Sequence, residues 1–257
     1  MNFSIIVPTY NSAKYLDACL YSIVQQSHNG QTQIIVVDNE SVDDTIKICQ
    51  QYPNLEIICE KDYGEPDALN KGMNLARGDI VAFLDSDDIY EPDAFKIVET
   101  IFGAQDKLQW LYGKSYFIDT NGGKIRRIIT LLKHLLQSNY SYNKLCNLCF
   151  ISQPSVFMRK EFWHQVGAYN VDYPLIFDYE YWLRAGKISE PQYTPYYLSS
   201  MRAHEGSNSV KFSIRQMRES LDLVYRFKKN NHYLFYIFRM AILLLTIIYY
   251  KTIGKYL

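Results

Sequence analysis

Short apolar runs alternate with amphipathic stretches along the first hundred residues. The apolar runs are rich in β-branched residues and have the pattern of parallel strands buried on both faces. They are FSIIV (3–7), QIIVV (33–37), LEIIC (55–59) and DIVAFL (79–84). The stretches between and after them predict helices over 12–26, 42–52, 67–77 and 92–102. This alternation predicts right-handed crossovers and a doubly wound, mostly parallel α/β sheet.

Residues near the ends of these helices indicate their boundaries. Ser41 has the side chain of an N-cap, with Asp44 three positions later. Gly78 suits the C′ position after the third helix, and Pro92 suits the first turn of the fourth. Asp93, in that same turn, is expected to interact with the helix dipole.

The second half of the chain has a less regular pattern. It predicts a hairpin of 109–118 with 124–129 around the turn sequence DTNGG, an amphipathic helix near 125–136, a strand at 153–159, and helices at 160–166 and 178–186. No low-complexity linker separates the halves, so one fold is expected over 1–222, with halves 1–105 and 106–222. Residues 223–257 are predicted to form a separate tail.

Charge separates the body from the tail. The 27 basic and 27 acidic residues cancel over the 257-residue chain, so no global field favours nucleic acid as a partner. From Leu223 onward, however, there is no acid, and the bases are Arg226, Lys228, Lys229, Arg239, Lys251 and Lys255. An acidic body with a basic tail predicts that the tail meets an anionic surface.

The cysteines and the N-terminus bear on the compartment. Five cysteines are an odd number in a long chain, which favours reduced thiols in the cytosol. Cys146 and Cys149 form a single CxxC pair without a nearby histidine, so packing is the favoured interpretation over a metal or redox role. MNFSIIVP enters a strand at once, so no signal peptide is expected.

Polar residues follow each of the four apolar runs. The segments are PTYN (8–11), DNES (38–41), EKDYGEPD (60–67) and DSDD (85–88). Ligands of open α/β sheets bind beyond the carboxyl ends of the strands, so these segments are expected to converge on one site. Asp85 and Asp87 carry oxygen ligands suited to Mg²⁺ or Mn²⁺. The alternative is that these acids only stabilise the start of the following helix.

Four blocks in order and spacing resemble a known family. FSIIVPTYN, IIVVDNESVDDT, EKDYGEPDALNKGMNLARGDIVAFLDSDD and FDYEYWLR together resemble family 2 glycosyltransferases of the GT-A fold, over roughly residues 2 to 210. The resemblance implies a Rossmann-like sheet and an inverting, metal-dependent enzyme. Such an enzyme moves a sugar from a nucleoside diphosphate, typically UDP, to a hydroxyl of a lipid-linked or polysaccharide acceptor.

The resemblance also implies roles for individual residues in binding the donor. The residues expected to contact the donor are Pro8, Thr9 and Tyr10 around the base, Asp38 on the base, Glu40 on the ribose side, Asp67, Asn70 and Lys71 from the DALNKG block, Asp85 on the ribose, and Arg202 on the diphosphate. Asp87 would ligate the metal, with His204 as a second candidate ligand from the segment MRAHEGSNS.

A base is needed to take the proton from the acceptor hydroxyl. The resemblance assigns this role to Asp178 in FDYEYW, with Glu180 as a neighbour or acceptor contact. On a helix, positions 178 and 180 do not share a face, so only one is expected to point inward. Arg184, in the same block, is expected to be structural.

The apolar tail predicts attachment to a membrane. Residues 233–250 are apolar except for Arg239 and fall slightly short of the roughly 20 residues that a spanning helix needs. An interfacial helix is therefore expected, at the cytoplasmic face of the inner membrane, with basic and tyrosine residues at its edges. Residues 125–136 are a second candidate contact or part of the acceptor groove. The alternative is a C-terminal helix packed on the domain or on a partner subunit.

Other classes of protein fit the sequence less well. A signalling receiver domain shares the sheet and the acids but leaves residues 109–222 unexplained. A nicotinamide dehydrogenase needs GxGxxG after the first strand, and a nucleotidyltransferase needs a basic, glycine-rich loop, where this chain has PTYNSAKYL. A catalytically inactive GT-A scaffold, acting as a binding subunit of a polysaccharide-assembly complex, stays open as the alternative function.

Overall fold

The structure, a computed structural model, describes residues 1–204, 206–207 and 212–227. The predicted interfacial helix at 233–250 lies outside the described residues. Among those that are described, no helix combines the length and the apolar character needed to cross a bilayer.

One mixed sheet runs through the described part of the chain. Its strands are β1 Phe3–Thr9, β2 Thr32–Asp38, β3 Leu55–Cys59, β4 Ile80–Phe83, β5 Ile89–Tyr90, β6 Trp110–Ile118, β7 Lys124–Ile125, β8 Val156–Arg159 and β9 Gln192–Arg202. Their order is β3-β2-β1-β4-β8-β6-β9-β5, with β7 paired to β6. The first four strands along the chain are parallel to one another, whereas β8, β7 and β5 join antiparallel to their neighbours.

Helices cover both faces of this sheet. They are α1 Ala13–Val24, α2 Thr45–Cys49, α3 Glu65–Leu75, α4 Ala94–Ala104, α5 Arg127–Gln137, α6 Tyr142–Asn147, α7 Lys160–Val166, α8 Phe177–Ile188 and α9 Ser213–Phe227. Alternate residues of the strands feed two cores. Ile5 and Val7 pack with α1 and α4 on one face, whereas Ile6 packs with α3 and with Trp182 of α8 on the other. The predicted α/β fold class is confirmed.

Three residues do not mark the helix boundaries predicted for them. Pro92 lies outside α4, which begins at Ala94 with Asp93 at its N-cap. Ser41 does not cap α2, which begins four residues later with Asp44 at its N-cap; the Ser41 hydroxyl instead donates to Asp38. Gly78 does not follow α3 directly, because the helix ends at Leu75. Its role is close approach, since a Cβ there would lie 2.5 Å from the backbone carbon of Phe3.

The predicted boundary between body and tail falls inside a helix. Helix α9 continues through residue 222, and Leu223 and Val224 are buried in the same core as Trp182. The body therefore extends to the end of α9, because removing those two side chains would expose core surface. The predicted division at 105/106 also separates residues of one core, since Ile6 and Trp182 share it.

Candidate active site

A polar cleft opens where the parallel strands end. It has a volume of about 680 Å³, within the roughly 300–1,000 Å³ of ligand sites. The loop after β1 lies along one side, and the loop between β4 and β5 crosses its floor. The start of α8 and the end of β9 complete the walls. The topology thus joins residues that are distant in sequence at the carboxyl edge of the sheet, where ligands of open α/β sheets bind.

Three acids are crowded in the loop between β4 and β5. Carboxylate oxygens of Asp85, Asp87 and Asp88 all lie within 4.8 Å of one another. The Asp88 backbone N–H donates to the Asp85 carbonyl oxygen at 2.9 Å, so a tight turn holds them together. Burial, followed by the negative charge of Asp87, raises the pKa of Asp85 to about 7. The same two causes raise the pKa of Asp88.

Glu65, at the start of α3, is a fourth acid in this group. Its side chain lines the cleft and is hydrogen-bonded to Asp85. Burial raises the pKa of Glu65 well above its ordinary value, and the charge of Asp85 raises it further. The raised pKa favours the protonated form of Glu65, whose O–H can donate a hydrogen bond to the neighbouring carboxylate.

Arg202 fastens the acidic loop to the last strand of the sheet. Its backbone N–H donates to Asp88 Oδ1 at 2.7 Å, and its Nε donates to the Asp87 carbonyl oxygen at 2.8 Å. Its Nη1 donates to the Asp119 carbonyl oxygen, and the guanidinium lies 4.8 Å from the centre of the Tyr15 ring. Arg202 lines the cleft as predicted, but three of its donors already have protein partners.

His204 and Asp87 are direct neighbours in the cleft wall. His204 Nε2 lies 2.8 Å from Asp87 Oδ2, and the Gly206 N–H donates to His204 Nδ1 at 3.1 Å. The Tyr15 ring packs against the imidazole at 4.9 Å between ring centres. The structure thus brings together the two predicted metal ligands, and their role as ligands stays a prediction.

Asp178 borders the same cleft. It lies in the first turn of α8, next to Phe177, Leu175 and other apolar lining residues. Burial raises the pKa of Asp178, whereas hydrogen bonds from backbone N–H groups and the charge of Lys133 lower it in part. A carboxylate with a raised pKa is suited to accept a proton, so the placement is compatible with the predicted base.

The loop after β1 supplies the other predicted residues that line the cleft. Pro8, Thr9 and Tyr10 all border it. Thr9 is buried, whereas the Tyr10 side chain is 62% exposed and so is available to contact a flat ring. Their assignment to a base stays a prediction.

Asp38 and Glu40 do not line the cleft. Asp38 is fully buried, and its Oδ1 accepts hydrogen bonds from Thr9 Oγ1 at 2.9 Å and from Ser41 Oγ at 2.6 Å. Its Oδ2 accepts from the Ser41 N–H at 2.8 Å. Asp38 therefore holds Thr9 in place, and its contact with the base stays a prediction. Glu40 is exposed, in a left-handed turn away from the lining.

The three residues predicted from the DALNKG block also lie outside the lining. Lys71 Nζ contacts Glu60 at 3.0 Å and Asp67 at 3.6 Å. Asn70 bonds through both ends of its amide to the backbone of Tyr169. Helical spacing turns Ala68 and the helix start toward the cleft, and the contacts of Asp67, Asn70 and Lys71 with the donor stay predictions.

Glu180 is structural in this arrangement. It is buried, and Arg184 donates to both of its carboxylate oxygens at 2.8–3.0 Å. Arg184 also donates to the carbonyl oxygens of Val166 and Ala168. The prediction that Glu180 belongs to the catalytic group is corrected, because its carboxylate faces Arg184. The expectation that Arg184 is structural agrees with these contacts.

Sequence reasoning missed some residues of the site. Glu65 and Asp88 complete the acidic group, Tyr15 packs on both His204 and Arg202, and Gln153 borders the cleft while donating to the Phe83 carbonyl oxygen. Asp88 and Glu65 lie within the sequence blocks that resemble the family, so their positions could have indicated a role in the site. Gln153 had no comparable sequence signal, because it reaches the site only through the pairing of β8 with β4.

The acidic group fits a divalent cation. Asp85 Oδ1 is buried and has no hydrogen-bond partner among the described residues, so it is an orphaned acceptor beside two further carboxylates. Oxygen ligands of this kind suit Mg²⁺ or Mn²⁺. Asp85, Asp87 and Asp88 are therefore the residues best placed to hold such an ion, with His204 beside them.

Comparison with known sequences identifies the family. The family described as glycosyl transferase family 2 matches residues 4–167. A PGL/p-HBAD biosynthesis glycosyltransferase of Mycobacterium tuberculosis is 32% identical over 191 residues, which cover 71% of this chain and 68% of that protein. Chondroitin synthase of Escherichia coli is 26% identical over 234 residues, which cover 90% of this chain and 31% of that protein.

Solved structures show the same fold. TarS 1–349 of S. aureus in complex with UDP has a TM-score of 0.64 at 21% identity, covering 88% of this chain and 66% of that one, slightly under two thirds. A mannosyltransferase of Pyrobaculum calidifontis in complex with GDP-Man and Mn²⁺ has a TM-score of 0.67 at 16% identity, covering 89% of this chain and 64% of that one. The chain is a glycosyltransferase that belongs to family 2 and has the GT-A fold.

Proposed function

We propose that this glycosyltransferase is metal-dependent and inverting, and that it moves a sugar from a nucleoside diphosphate, preferably UDP, to a hydroxyl of a lipid-linked or polysaccharide acceptor. One observation carries the proposal: Asp85, Asp87 and Asp178 border a single cleft, and a carboxylate oxygen of Asp85 has no protein partner there. A cation with a diphosphate and an acceptor hydroxyl with a base are the two requirements of the reaction.

The donor is assigned to the side of the cleft formed by the loop after β1. Tyr10 is exposed there to contact a base, and the acids of the loop after β4 lie farther in, toward a diphosphate. Structural neighbours in complex with UDP, UDP-GlcNAc and GDP-Man support a nucleoside diphosphate sugar as the class of donor. The choice of UDP rests on the resemblance of the sequence blocks.

The metal would be held by Asp87, with Asp85 and Asp88 beside it and His204 as a further ligand. A divalent cation there supplies positive charge for a diphosphate leaving group. Arg202 borders the acids, and its hydrogen bonds to the Asp87 and Asp119 carbonyl oxygens keep the acidic loop in place. Its part in the reaction is thus to position the carboxylates, besides the predicted contact with the diphosphate.

Asp178 is assigned as the base. Its carboxylate accepts the proton of the acceptor hydroxyl while the oxygen forms a bond to the anomeric carbon. The bond from that carbon to the diphosphate oxygen breaks, and its electron pair leaves with the diphosphate. A single displacement of this kind inverts the anomeric centre, and the assignment of this stereochemistry rests on the resemblance of the sequence blocks.

The acceptor and the location follow from relatives and from charge. One relative is named for PGL/p-HBAD biosynthesis and another is chondroitin synthase, which supports a cell-surface glycolipid or polysaccharide as the product. The basic sequence from residue 223 onward supports a peripheral or monotopic position at the cytoplasmic face of the inner membrane.

The test is a screen of nucleotide sugars for Mn²⁺-dependent hydrolysis by the full chain. We expect hydrolysis of one UDP-sugar, its loss in EDTA, and loss of transfer in Asp87→Asn and Asp178→Asn. Asp106→Asn, which changes an exposed acid far from the cleft lining, is the matched control and should keep full activity. Turnover that is undiminished in EDTA, or in Asp87→Asn, contradicts the metal-dependent mechanism, and binding of a donor without turnover in any condition favours an inactive scaffold.

A further inference from the structure

Among the described side chains of helix α5, polar residues face inward and leucines face outward. Helices at the surface of a globular protein usually turn apolar residues inward. In α5 the polar residues Thr130, His134 and Gln137 are buried, whereas Leu131 and Leu135 are 61% and 64% exposed. Leu136 is 39% exposed on the same side. The described leucines therefore form an apolar patch on the outward side of this helix.

Hydrogen bonds fix this orientation. The fully buried Gln137 donates to the Phe150 carbonyl oxygen at 3.0 Å and to Ser152 Oγ at 3.2 Å. The Tyr112 hydroxyl donates to the Gln137 carbonyl oxygen at 2.7 Å. Rotating α5 to bury its leucines would break these bonds and leave buried polar groups unpaired, which is costly. The exposure of the leucines is thus built into the fold.

The helix lies beside the acceptor side of the cleft. Arg126, directly before α5, borders the cleft, and Lys133 on α5 is close enough to Asp178 to lower the pKa of that carboxyl. Both cations lie within 6 Å of the Phe117 ring, which also borders the cleft. A surface that contacts α5 would therefore meet the entrance from which Asp178 is reached.

The surroundings of α5 are basic. Residues 120–160 contain no Asp or Glu. The basic residues of this range that precede β8 are Lys124, Arg126, Arg127, Lys133 and Lys144. Arg159 and Lys160 lie at the other end of β8, where they bond to Leu108 and Asp79. Exposed leucines within a positively charged segment complement a surface that is apolar inside and negatively charged at its boundary. The interface of a bilayer with anionic lipids is such a surface.

We propose that the apolar face of α5, formed by Leu131, Leu135 and Leu136, docks into the interface of an anionic bilayer and places the Asp178 side of the cleft at the lipid surface. The docking itself rests on the geometry and charge of α5; only its use, to admit a lipid-linked acceptor, rests on the proposed function. It is a contact separate from the one assigned to the tail.

Charge favours lipid over two other occupants. A second copy docked through the same face would bring like charges together, because a two-fold interface uses one patch twice. Residues 228–257 carry Lys228, Lys229, Arg239, Lys251 and Lys255 and no acid, so they offer no negative charge to pair with the cations near α5. An anionic lipid surface is the occupant that complements both the leucines and the cations.

The test is hydrogen exchange of the full chain with and without vesicles of phosphatidylglycerol or phosphatidylcholine. Hydrogen exchange is measured segment by segment, so protection of α5 can be read separately from protection caused by binding through the tail. We expect α5 to be protected on phosphatidylglycerol vesicles and to lose that protection at high salt, since screening weakens attraction to charged lipid. No protection of α5 on vesicles overturns the proposal. Protection without lipid that grows with protein concentration also overturns it, in favour of a second copy, and protection without lipid at all concentrations overturns it in favour of the tail.

Matched variants sharpen the result. Leu131→Gln with Leu135→Gln should lose the protection of α5 and bind phosphatidylglycerol vesicles about tenfold more weakly, since two apolar side chains no longer enter the interface. The control, Leu75→Gln with Ile188→Gln, removes two other exposed apolar side chains, and it should behave as the unchanged protein. Equal binding and protection in the two double variants overturns the proposal.

A separate measurement keeps the two proposals apart. Hydrolysis of the nucleotide sugar in lipid-free buffer should be unchanged in Leu131→Gln with Leu135→Gln, because neither side chain lines the cleft. If the unchanged protein hydrolyses no nucleotide sugar, the proposed function fails, while protection of α5 on vesicles still supports docking.

Discussion

The imidazole of His204 and the carboxylate of Asp87 are hydrogen-bonded at 2.8 Å across 117 residues of sequence. The Gly206 N–H donates to Nδ1 of the same ring, so Nδ1 is an acceptor and the neutral ring carries its proton on Nε2, toward Asp87. In this tautomer His204 orients Asp87. As a metal ligand through Nε2 it would move that proton to Nδ1 and give up the bond from Gly206.

His204→Ala is therefore expected to weaken Mn²⁺ activation by about 10–100-fold, as loss of a ligand or of its orienting partner does. The measurement is the Mn²⁺ concentration for half-maximal hydrolysis of the nucleotide sugar. His164→Ala, which removes an exposed histidine of α7, is the matched control and should leave the value unchanged. An unaltered Mn²⁺ dependence in His204→Ala would exclude both roles.

Much of this site was predictable because the signal was local. The apolar runs of β1, β2 and β4 end on polar segments, and the rule that ligands bind at carboxyl ends placed Tyr10, Asp85 and Asp87 together before any coordinates. The face argument for α8 also succeeded, since Asp178 borders the cleft and Glu180 does not. In these cases a few neighbouring residues in the sequence decide which side chains border the cleft.

The failures have a physical cause in each case. Helix α3 begins at Glu65, two residues before its predicted start, and helical periodicity then decides that Ala68 rather than Asp67 faces the cleft. Strand β9 was not predicted, because its sequence QYTPYYLSSMR lacks alternation and its pairing with β6 spans about eighty residues. Arg202 and His204 reach the acidic loop because β9 also pairs with β5, which directly follows that loop.

Asp85→Asn is expected to stabilise the metal-free protein and to abolish transfer. Burial and the charge of Asp87 raise the pKa of Asp85 to about 7. At pH 8 the Asp85 carboxyl is therefore ionised, although its burial and the charge of Asp87 both disfavour the ionised form. Removing that charge should raise the free energy of unfolding by about 1 kcal/mol, as relief of like-charge repulsion at functional sites does. The measurement is urea unfolding in EDTA at pH 8.

The same unfolding measured with Mn²⁺ should reverse the order. The unchanged protein should gain stability from the ion, because its acids bind it only when folded, whereas Asp85→Asn should gain less. Asp106→Asn is the control for loss of one surface charge. If Asp85→Asn is less stable than the unchanged protein in EDTA, the acids are not a strained group awaiting a cation.

Asp178 should set the acid limb of the pH–rate profile. Burial raises its pKa, and a base must be ionised, so kcat/KM should fall as pH drops through a value above that of an ordinary aspartate. Lys133 lowers the pKa of Asp178 through its charge. Lys133→Met should therefore move the acid limb to higher pH.

Lys144→Met is the matched control, because Lys144 is exposed and donates to the Asn139 carbonyl oxygen. Its profile should coincide with that of the unchanged protein. Asp178→Asn should lose transfer at every pH while its affinity for UDP, measured by calorimetry, is retained. If the acid limb does not move in Lys133→Met, the group that titrates in the pH–rate profile is not Asp178.

Glu180→Ala should act on stability and hardly on catalysis. The change leaves the Arg184 guanidinium without the carboxylate that accepts three of its hydrogen bonds, in a half-buried site. Because partial exposure lets water reach the guanidinium, we expect a loss of about 1–3 kcal/mol in the free energy of unfolding, less than for a fully buried pair. Glu219→Ala, which removes the partner of the exposed Arg215 at the same i,i+4 spacing, is the control and should cost under about 1 kcal/mol. Below the unfolding temperature, kcat/KM of Glu180→Ala should stay within a few fold of the unchanged protein, whereas Asp178→Asn loses transfer. A Glu180→Ala protein that is stable but inactive would restore Glu180 to the catalytic group.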